Sequence, residues 1–283
     1  SRTKENVPVL PPVPVRPSDP LVLEHLSLFG YRNLGHAEFE PGPRFNVIHG
    51  ENGAGKSNLL EAVAYVASLR SFRDAKKEDL IALGAPRAQL GARVSGRPLS
   101  REYKIALDRA KGRIVNVDGK RPTSLGSYFA SIQLVLFHPG DVELMVAGPE
   151  PRRAFLDRVL EQVDAGYAKL VAEYEKARSS RNRLLKMDRP DRRSISASAP
   201  ILADFGAKIG SARQRLTEEL APMVEAHFGE ITEQALPLEV RYAARHEPTE
   251  AVLLRALHDS YEKDVMRGFT GVGPHGDDLR VGV

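Results

Sequence analysis

Gly50-Glu51-Asn52-Gly53-Ala54-Gly55-Lys56-Ser57 fits G-x-x-x-x-G-K-[ST], the pattern of a Walker A phosphate loop. Upstream, Phe45-Asn46-Val47-Ile48 has the length and apolarity of a short buried strand. Downstream, Leu59, Leu60, Val63, Val66 and Leu69 recur at helical spacing, which predicts a helix from Ser57 to Leu69. The order strand, glycine-rich loop, helix has a physical reason. Glycines take positive φ without steric cost, so successive N–H groups can converge on one point. The helix that follows adds the positive end of its dipole there. The candidate nucleotide site is therefore Gly50, Glu51, Asn52, Gly53, Ala54, Gly55, Lys56, Ser57 and Asn58. Lys56 would reach the β- and γ-phosphates of a nucleoside triphosphate such as ATP, and the Ser57 hydroxyl would hold Mg²⁺.

Composition narrows the class. The chain has 283 residues, 42% of them apolar and 28% charged, so it can bury a sizeable core. It contains no cysteine, which excludes disulfides, thiolate metal sites and cysteine nucleophiles and suits a reducing cytoplasm. No apolar run has the length of a membrane span, and the first residues lack the apolar core of a signal peptide. A formal charge of +4 points mildly to a polyanionic partner.

Outward from the loop, the chain divides into four parts. Residues 1–20 carry six prolines and read as an extended, poorly ordered lead-in. Residues 21–138 read as a strand-rich nucleotide lobe. Leu21–Phe29 and Ala37–Glu40 are strand-like, and Tyr31-Arg32-Asn33-Leu34 is a turn between them. Gln89–Val94, Glu102–Leu107 and Arg113–Val117, separated by turn residues, predict an antiparallel meander. Ile132–Phe137 is an apolar run of strand length. Residues 139–230 read as a helical lobe. Phe155, Leu156, Val159, Leu160, Val163, Tyr167, Leu170, Val171 and Tyr174 form one stripe. A break at Met187–Pro200 separates this stripe from a second helix, Ile201 to about His227, which Pro222 would kink or end. The pair suggests an antiparallel helical hairpin. Residues 231–283, with a strand at Leu236–Ala243 and a helix at Ala251–Met266, are expected to return to the first lobe.

Five pieces together resemble the RecF family of bacterial recombination-mediator ATPases, relatives of the heads of structural-maintenance-of-chromosomes (SMC) proteins. They are Tyr31-Arg32-Asn33, the phosphate loop, Arg70-Ser71-Phe72-Arg73, Gly148-Pro149 with Arg152-Arg153-Ala154-Phe155-Leu156-Asp157, and Gly273-Pro274-His275-Gly276-Asp277-Asp278-Leu279. The resemblance spans residues 21 to 283. The family's arginine is replaced by Gly276, and its proline-Glu-Asp run is here Pro139-Gly140-Asp141. The resemblance implies an α/β fold, a P-loop head of the ABC/SMC type. It also implies an ATP-dependent homodimer that acts on DNA, duplex and single-/double-strand junctions, to help load the recombinase, with RecR and RecO as partners. A signature motif and a Walker B segment are expected after residue 283. No apolar run of this chain ends in the paired carboxylates of Walker B, so these residues support nucleotide binding rather than hydrolysis.

Charge is concentrated in one place. Between Lys176 and Arg193 lie eight basic residues, among them Arg178, Arg181, Arg183, Lys186, Arg192 and Arg193, against Asp188 and Asp191. At the tip of the helical hairpin they would meet phosphate backbones in a sequence-independent, salt-sensitive way. Few aromatics interleave, so the stretch itself offers no platform for stacked bases. Arg70, Arg73, Lys76 and Lys77 are a second candidate DNA patch. Gly271-Val272-Gly273-Pro274-His275-Gly276 also fits the dinucleotide pattern G-x-G-x-x-G, but it contains Pro274 and opens no helix, which that pattern requires. Asp277 and Asp278 read as turn-capping residues in preference to a site by the nucleotide. Two other classes compete with the main reading: a soluble ATPase subunit of a transport or signalling system, and a P-loop small-molecule kinase. The family-specific motifs of such transport or signalling subunits are missing, and the long hairpin with its charged tip suits a kinase poorly.

Overall fold

Period-two alternation between residues 22 and 117 folds as one antiparallel sheet. Its strands are β1 (Val22–Tyr31), β2 (Leu34–Phe39), β3 (Arg87–Ser95), β4 (Arg101–Asp108) and β5 (Gly112–Val117), in the order β2-β1-β3-β4-β5. Leu28 sits opposite Leu90 and Leu90 opposite Ile105, so one face carries the apolar set across three strands. Leu26, Leu28, Leu90, Ile105 and Leu107 are all essentially solvent-free. Each such side chain contributes about 1.5–3 kcal/mol relative to leaving it exposed. The computed structural model describes residues 21–96, 100–233 and 236–283, and the lead-in expected at 1–20 lies outside them. The chain divides into two compact units, one ending at Leu136 and one running from Phe137 to Val283.

The first unit holds the sheet, helix α1 (Lys56–Ser68) and the short helix α2 (Leu125–Phe129). Helix α1 lies against β1 and β3 and buries Ala62, Tyr65 and Val66. Leu69 ends it in the left-handed conformation, with its N–H on the Tyr65 carbonyl. Tyr128 of α2 donates its hydroxyl to the Val66 carbonyl, and Arg113 of β5 donates to the Leu69 carbonyl at 2.6 Å. The helix that carries the phosphate loop is therefore tied to the sheet at its far end.

Two expected strands do not form. Phe45–Ile48 joins no strand ladder among the described residues, and Phe45 and Val47 are 96% and 86% exposed. Ile132–Phe137 is likewise outside any ladder. Ile132 is buried, but Val135 and Phe137 are 98% and 82% exposed. Apolarity alone does not make a strand: that needs a neighbouring strand in register, and neither run joins a ladder among the described residues.

The second unit is helical with one strand pair. Its elements are α3 (Glu143–Val146), α4 (Pro149–Val163), α5 (Tyr167–Leu185), α6 (Arg192–Ser196), α7 (Ala199–Ile231), β6 (Glu239–Ala243), α8 (Glu250–Asp259), α9 (Tyr261–Arg267) and β7 (Asp278–Gly282). Helices α5 and α7 form the hairpin read from the sequence, and the apolar stripe is split at Asp164–Gly166 between α4 and α5. Leu156, Leu160, Tyr167, Tyr174, Leu202, Ile209, Leu253 and Leu257 make its core. Gly206 and Gly210 of α7 let neighbours approach closely: a methyl at Gly210 would meet Pro248 at 2.7 Å. Pro222 neither stops nor shortens α7, which runs on to Ile231. Within this unit β6 packs on α7, and β7 pairs with β6 and packs on α4.

Candidate nucleotide-binding site

The phosphate loop has the backbone its glycines permit. Gly50, Gly53 and Gly55 take φ of 148°, 84° and 101°, values that L side chains rarely adopt. Gly55 is the N-cap of α1, so the first free N–H groups of that helix open at the loop. Lys56 donates its ammonium to the carbonyls of Gly50 and Glu51, both at 2.7 Å. These are neutral acceptors. A phosphate oxygen, being charged, would add Coulomb attraction for the same ammonium. Glu51, Asn52, Gly53, Ala54 and Ser57 are exposed, so the concave side of the loop is accessible.

A polar network fastens this loop from behind. Asn33, in the turn between β1 and β2, donates to the Gly53 carbonyl at 3.0 Å and accepts from Asn58 at 2.6 Å. Gly55 is packed against the same turn, and a methyl there would lie 2.8 Å from Leu34 and 3.0 Å from Asn33. Beneath the turn sits Glu61, a fully buried carboxylate on the inner face of α1. Arg32 grips it with two bonds, at 2.8 and 2.9 Å, while Arg73 and the Ser71 hydroxyl add theirs. Arg73 also donates to Asn58. Burial alone would push the Glu61 carboxyl up, but the bonds from Arg32, Arg73 and Ser71 outweigh it and bring the value down to about 2. Two of the stretches that carry the family resemblance, Tyr31-Arg32-Asn33 and Arg70-Ser71-Phe72-Arg73, thus meet at one residue of the phosphate-loop helix. Glu61 was absent from the candidate residues. Its signal in the sequence is a carboxylate four residues before Tyr65 on the buried side of an amphipathic helix.

The candidate DNA residues fall into three groups. Arg183, Lys186, Arg193 and Lys76 are exposed. Others are exposed or half-exposed but engaged: Arg73 with Glu61, Lys77 with Glu78, Arg178 with Glu175, and Arg192 with Glu262 and over the Tyr261 ring. Arg70 also has an interaction partner. Arg181 is a correction. It is 1% exposed, donates to Asp264 at 2.7 Å and to Thr270 at 2.8 Å, and has no surface to offer a phosphate. Charge counting along a helix ignores faces, and Arg181 lies four residues before the buried Leu185.

The two remaining resemblance motifs clasp each other within the second unit. Arg152 makes a two-pronged bond to Asp278 at 2.8 and 3.0 Å, and Arg153 donates to the Asp277 carbonyl at 2.8 Å. Asp157 receives Arg213 and the Tyr167 hydroxyl. The Asp277 carboxylate accepts from the Tyr242 hydroxyl and the Arg245 amide. Thr270 offers His275 a carbonyl, which only accepts, so Nε2 carries the proton and Nδ1 accepts from the Tyr174 hydroxyl at 2.7 Å. Burial, aided by nearby Arg178, lowers the His275 value and keeps the ring neutral. The paired carboxylates are structural, and Pro274–Gly276 is a single 3₁₀ turn leading into β7, not the start of a longer helix.

A glycine loop opening a helix that packs on an antiparallel sheet, in a chain that also carries a helical unit, is the head architecture of the ABC/SMC type of P-loop ATPase. The family model for the RecF/RecN/SMC N-terminal domain matches residues 22–116. The chain is 37% identical over 270 residues to the DNA replication and repair protein RecF of Myxococcus xanthus, covering 90% of this chain and 70% of that relative. It is 34% identical to the RecF protein of Geobacter sulfurreducens over 264 residues, covering 91% and 72%. A solved structure of the recombination mediator protein RecF-ATPrS of the RecFOR pathway aligns with a TM-score of 0.87 at 28% identity, over 93% of this chain and 74% of that one. A RecF-ATP structure aligns at 0.86 and 27%, over 92% and 73%. The chain belongs to the RecF family of DNA replication and repair proteins.

Proposed function

We propose that this chain binds ATP with Mg²⁺ at Gly50–Asn58 and couples that binding to DNA as a cytoplasmic recombination mediator. The observation that carries the reading is the loop itself: three left-handed glycines, a lysine ammonium held on two neutral carbonyls, and an open helix start on the same side. The relatives solved with ATP and ATPrS are similar over nine-tenths of the chain. Lys56 would exchange its carbonyls for the β- and γ-phosphates. The Ser57 hydroxyl, exposed in the first turn of α1, would supply one oxygen to Mg²⁺, with phosphates and water completing the shell. Glu61, through Arg32, Arg73, Asn33 and Asn58, holds the loop in shape.

Following the family, ATP would bring two heads together and DNA would bind to the dimer near single-/double-strand junctions, with RecR and RecO as partners in loading the recombinase. The exposed Arg183, Lys186 and Arg193 are the residues of the basic hairpin tip that best suit phosphate contact. The experiment is equilibrium binding to duplex DNA with ATP present, across a salt series. Reversing charge at Arg183 and Arg193 is expected to weaken binding and flatten the salt slope by about one per lost contact, with ATP affinity unchanged. Unaltered DNA affinity would dismiss the hairpin tip.

A further inference from the structure

Helix α7 outruns the core that holds it. At 33 residues it is about 50 Å long. All eleven of its buried residues lie in its first part, Ala199–Thr217; from Glu218 to Ile231 none is buried. The sequence does not change character at that point. Leu220, Met223, Val224, Phe228 and Ile231 recur at helical spacing. They continue the stripe of Ile209 and Leu216, which stand eleven and four residues before Leu220. Ile209 and Leu216 lie in the core. Further along, the same stripe meets solvent: Met223, Val224 and Ile231 are 48%, 41% and 81% exposed. A segment this short, with Pro222 inside it, gains little helical stability from propensity alone. It is an extension of a packed helix whose apolar face stays open.

Charge decides what can cover that face. From Leu216 to Leu238 stand five glutamates, Glu218, Glu219, Glu225, Glu230 and Glu233, and neither lysine nor arginine. By helical phase Glu219 and Glu230 line one border of the stripe, and Glu218 and Glu225 lie beyond the other; all four are exposed. A chain of formal charge +4 thus carries an acidic end on α7. Nucleic acids and anionic membrane surfaces are repelled by such a face. A second copy of the same helix end sets glutamates against glutamates, which disfavours self-pairing. The complement is a helix with its own apolar stripe bordered by lysine and arginine, the kind of match that selects partners in helix–helix contacts. We propose that Glu218–Ile231 is a docking helix for a protein partner presenting such a basic amphipathic helix. Met223, Val224 and Ile231 are its anchors, and Glu219 and Glu230 set the choice of partner. The proposal goes beyond nucleotide and DNA binding and depends on neither.

The test uses the full chain and two fluorescein-labelled synthetic peptides that form the same amphipathic helix. Both carry leucine along the stripe; one has lysine at the bordering positions, the other glutamate. Anisotropy is read at about 0.15 M salt, where attraction between exposed charges alone is largely screened. Wild type is expected to bind the lysine peptide and not the glutamate peptide. Met223→Gln combined with Ile231→Gln should weaken lysine-peptide binding by about tenfold or more, because two apolar anchors leave the contact. Glu219→Lys combined with Glu230→Lys should exchange the preference, so that the glutamate peptide binds and the lysine peptide does not. Both variants should keep the helical circular dichroism and the ATP affinity of wild type, since all four positions are exposed and outside the phosphate loop. Wild type that ignores the lysine peptide, or binds both peptides equally, would overturn the proposal. Lysine-peptide affinity unchanged by the two glutamines would also overturn it, since the contact would then be charge attraction without docking. So would a preference for lysine that survives the charge reversal.

Discussion

Glu61→Gln probes the network behind the phosphate loop most sharply. The substitution keeps shape and removes charge from a fully buried site that receives Arg32, Arg73 and Ser71. The gap between the ordinary carboxyl value of 4.5 and about 2 corresponds to about 3 kcal/mol of preference for the charged form. Loss of one partner from a buried pair costs about 3–5 kcal/mol. The side chains of Arg32 and Arg73 are 20% and 38% exposed and regain some water, which favours the lower end of that range. Because the folded-state value is depressed, this stability is complete above about pH 4.5 and is lost as pH falls toward 2. Urea titrations of wild type and E61Q across pH should therefore differ by about 3 kcal/mol at pH 7, with the gap closing toward pH 2. A gap below about 1 kcal/mol at pH 7, the size of a surface ion pair, would refute the reasoning. So would one that stays constant down to the acid limit.

Gly55→Ala must place a side chain at φ 101° against Leu34 and Asn33, so it should abolish nucleotide binding while the second unit keeps its helical circular dichroism; retained affinity would show that the turn yields. Arg181→Met should lower stability by about 3–5 kcal/mol by leaving Asp264 buried and unpaired. A companion change, Asp264→Leu on that background, should recover part of the loss, and denaturant midpoints of the two variants decide it. Neither change should alter the salt dependence of DNA binding, because neither side chain reaches the surface.

What could be read from sequence was whatever local pattern dictates. The loop needs its glycines at fixed positions, and the helix after it needs its apolar spacing; both formed as expected at Gly50–Ser57 and Lys56–Ser68. The meander followed from alternation and turn residues. What escaped depended on partners distant in sequence. Phe45–Ile48 and Ile132–Phe137 have the composition of strands, yet composition does not provide the neighbouring backbone. Arg181 belongs to a basic run by count and to the buried face by helical phase; the phase, legible from Tyr174 and Leu185 at seven and four residues' distance, decides its role. Glu61 and the two arginines it gathers are 29 and 12 residues apart, separations that no local periodicity reports. Thr270 bonds Asn182, 88 residues earlier, a pairing that no local pattern reports.

The central claim concerns one ammonium group and a curl of main-chain amides. Calorimetric titration of ATP with Mg²⁺ into the wild-type chain and into Lys56→Ala tests it directly. A charge-assisted contact contributes about 1.5–3 kcal/mol, so Lys56→Ala should bind at least about tenfold more weakly, with its unfolding midpoint unchanged. Equal heats and equal affinities for the two proteins would place the nucleotide elsewhere and contradict the account.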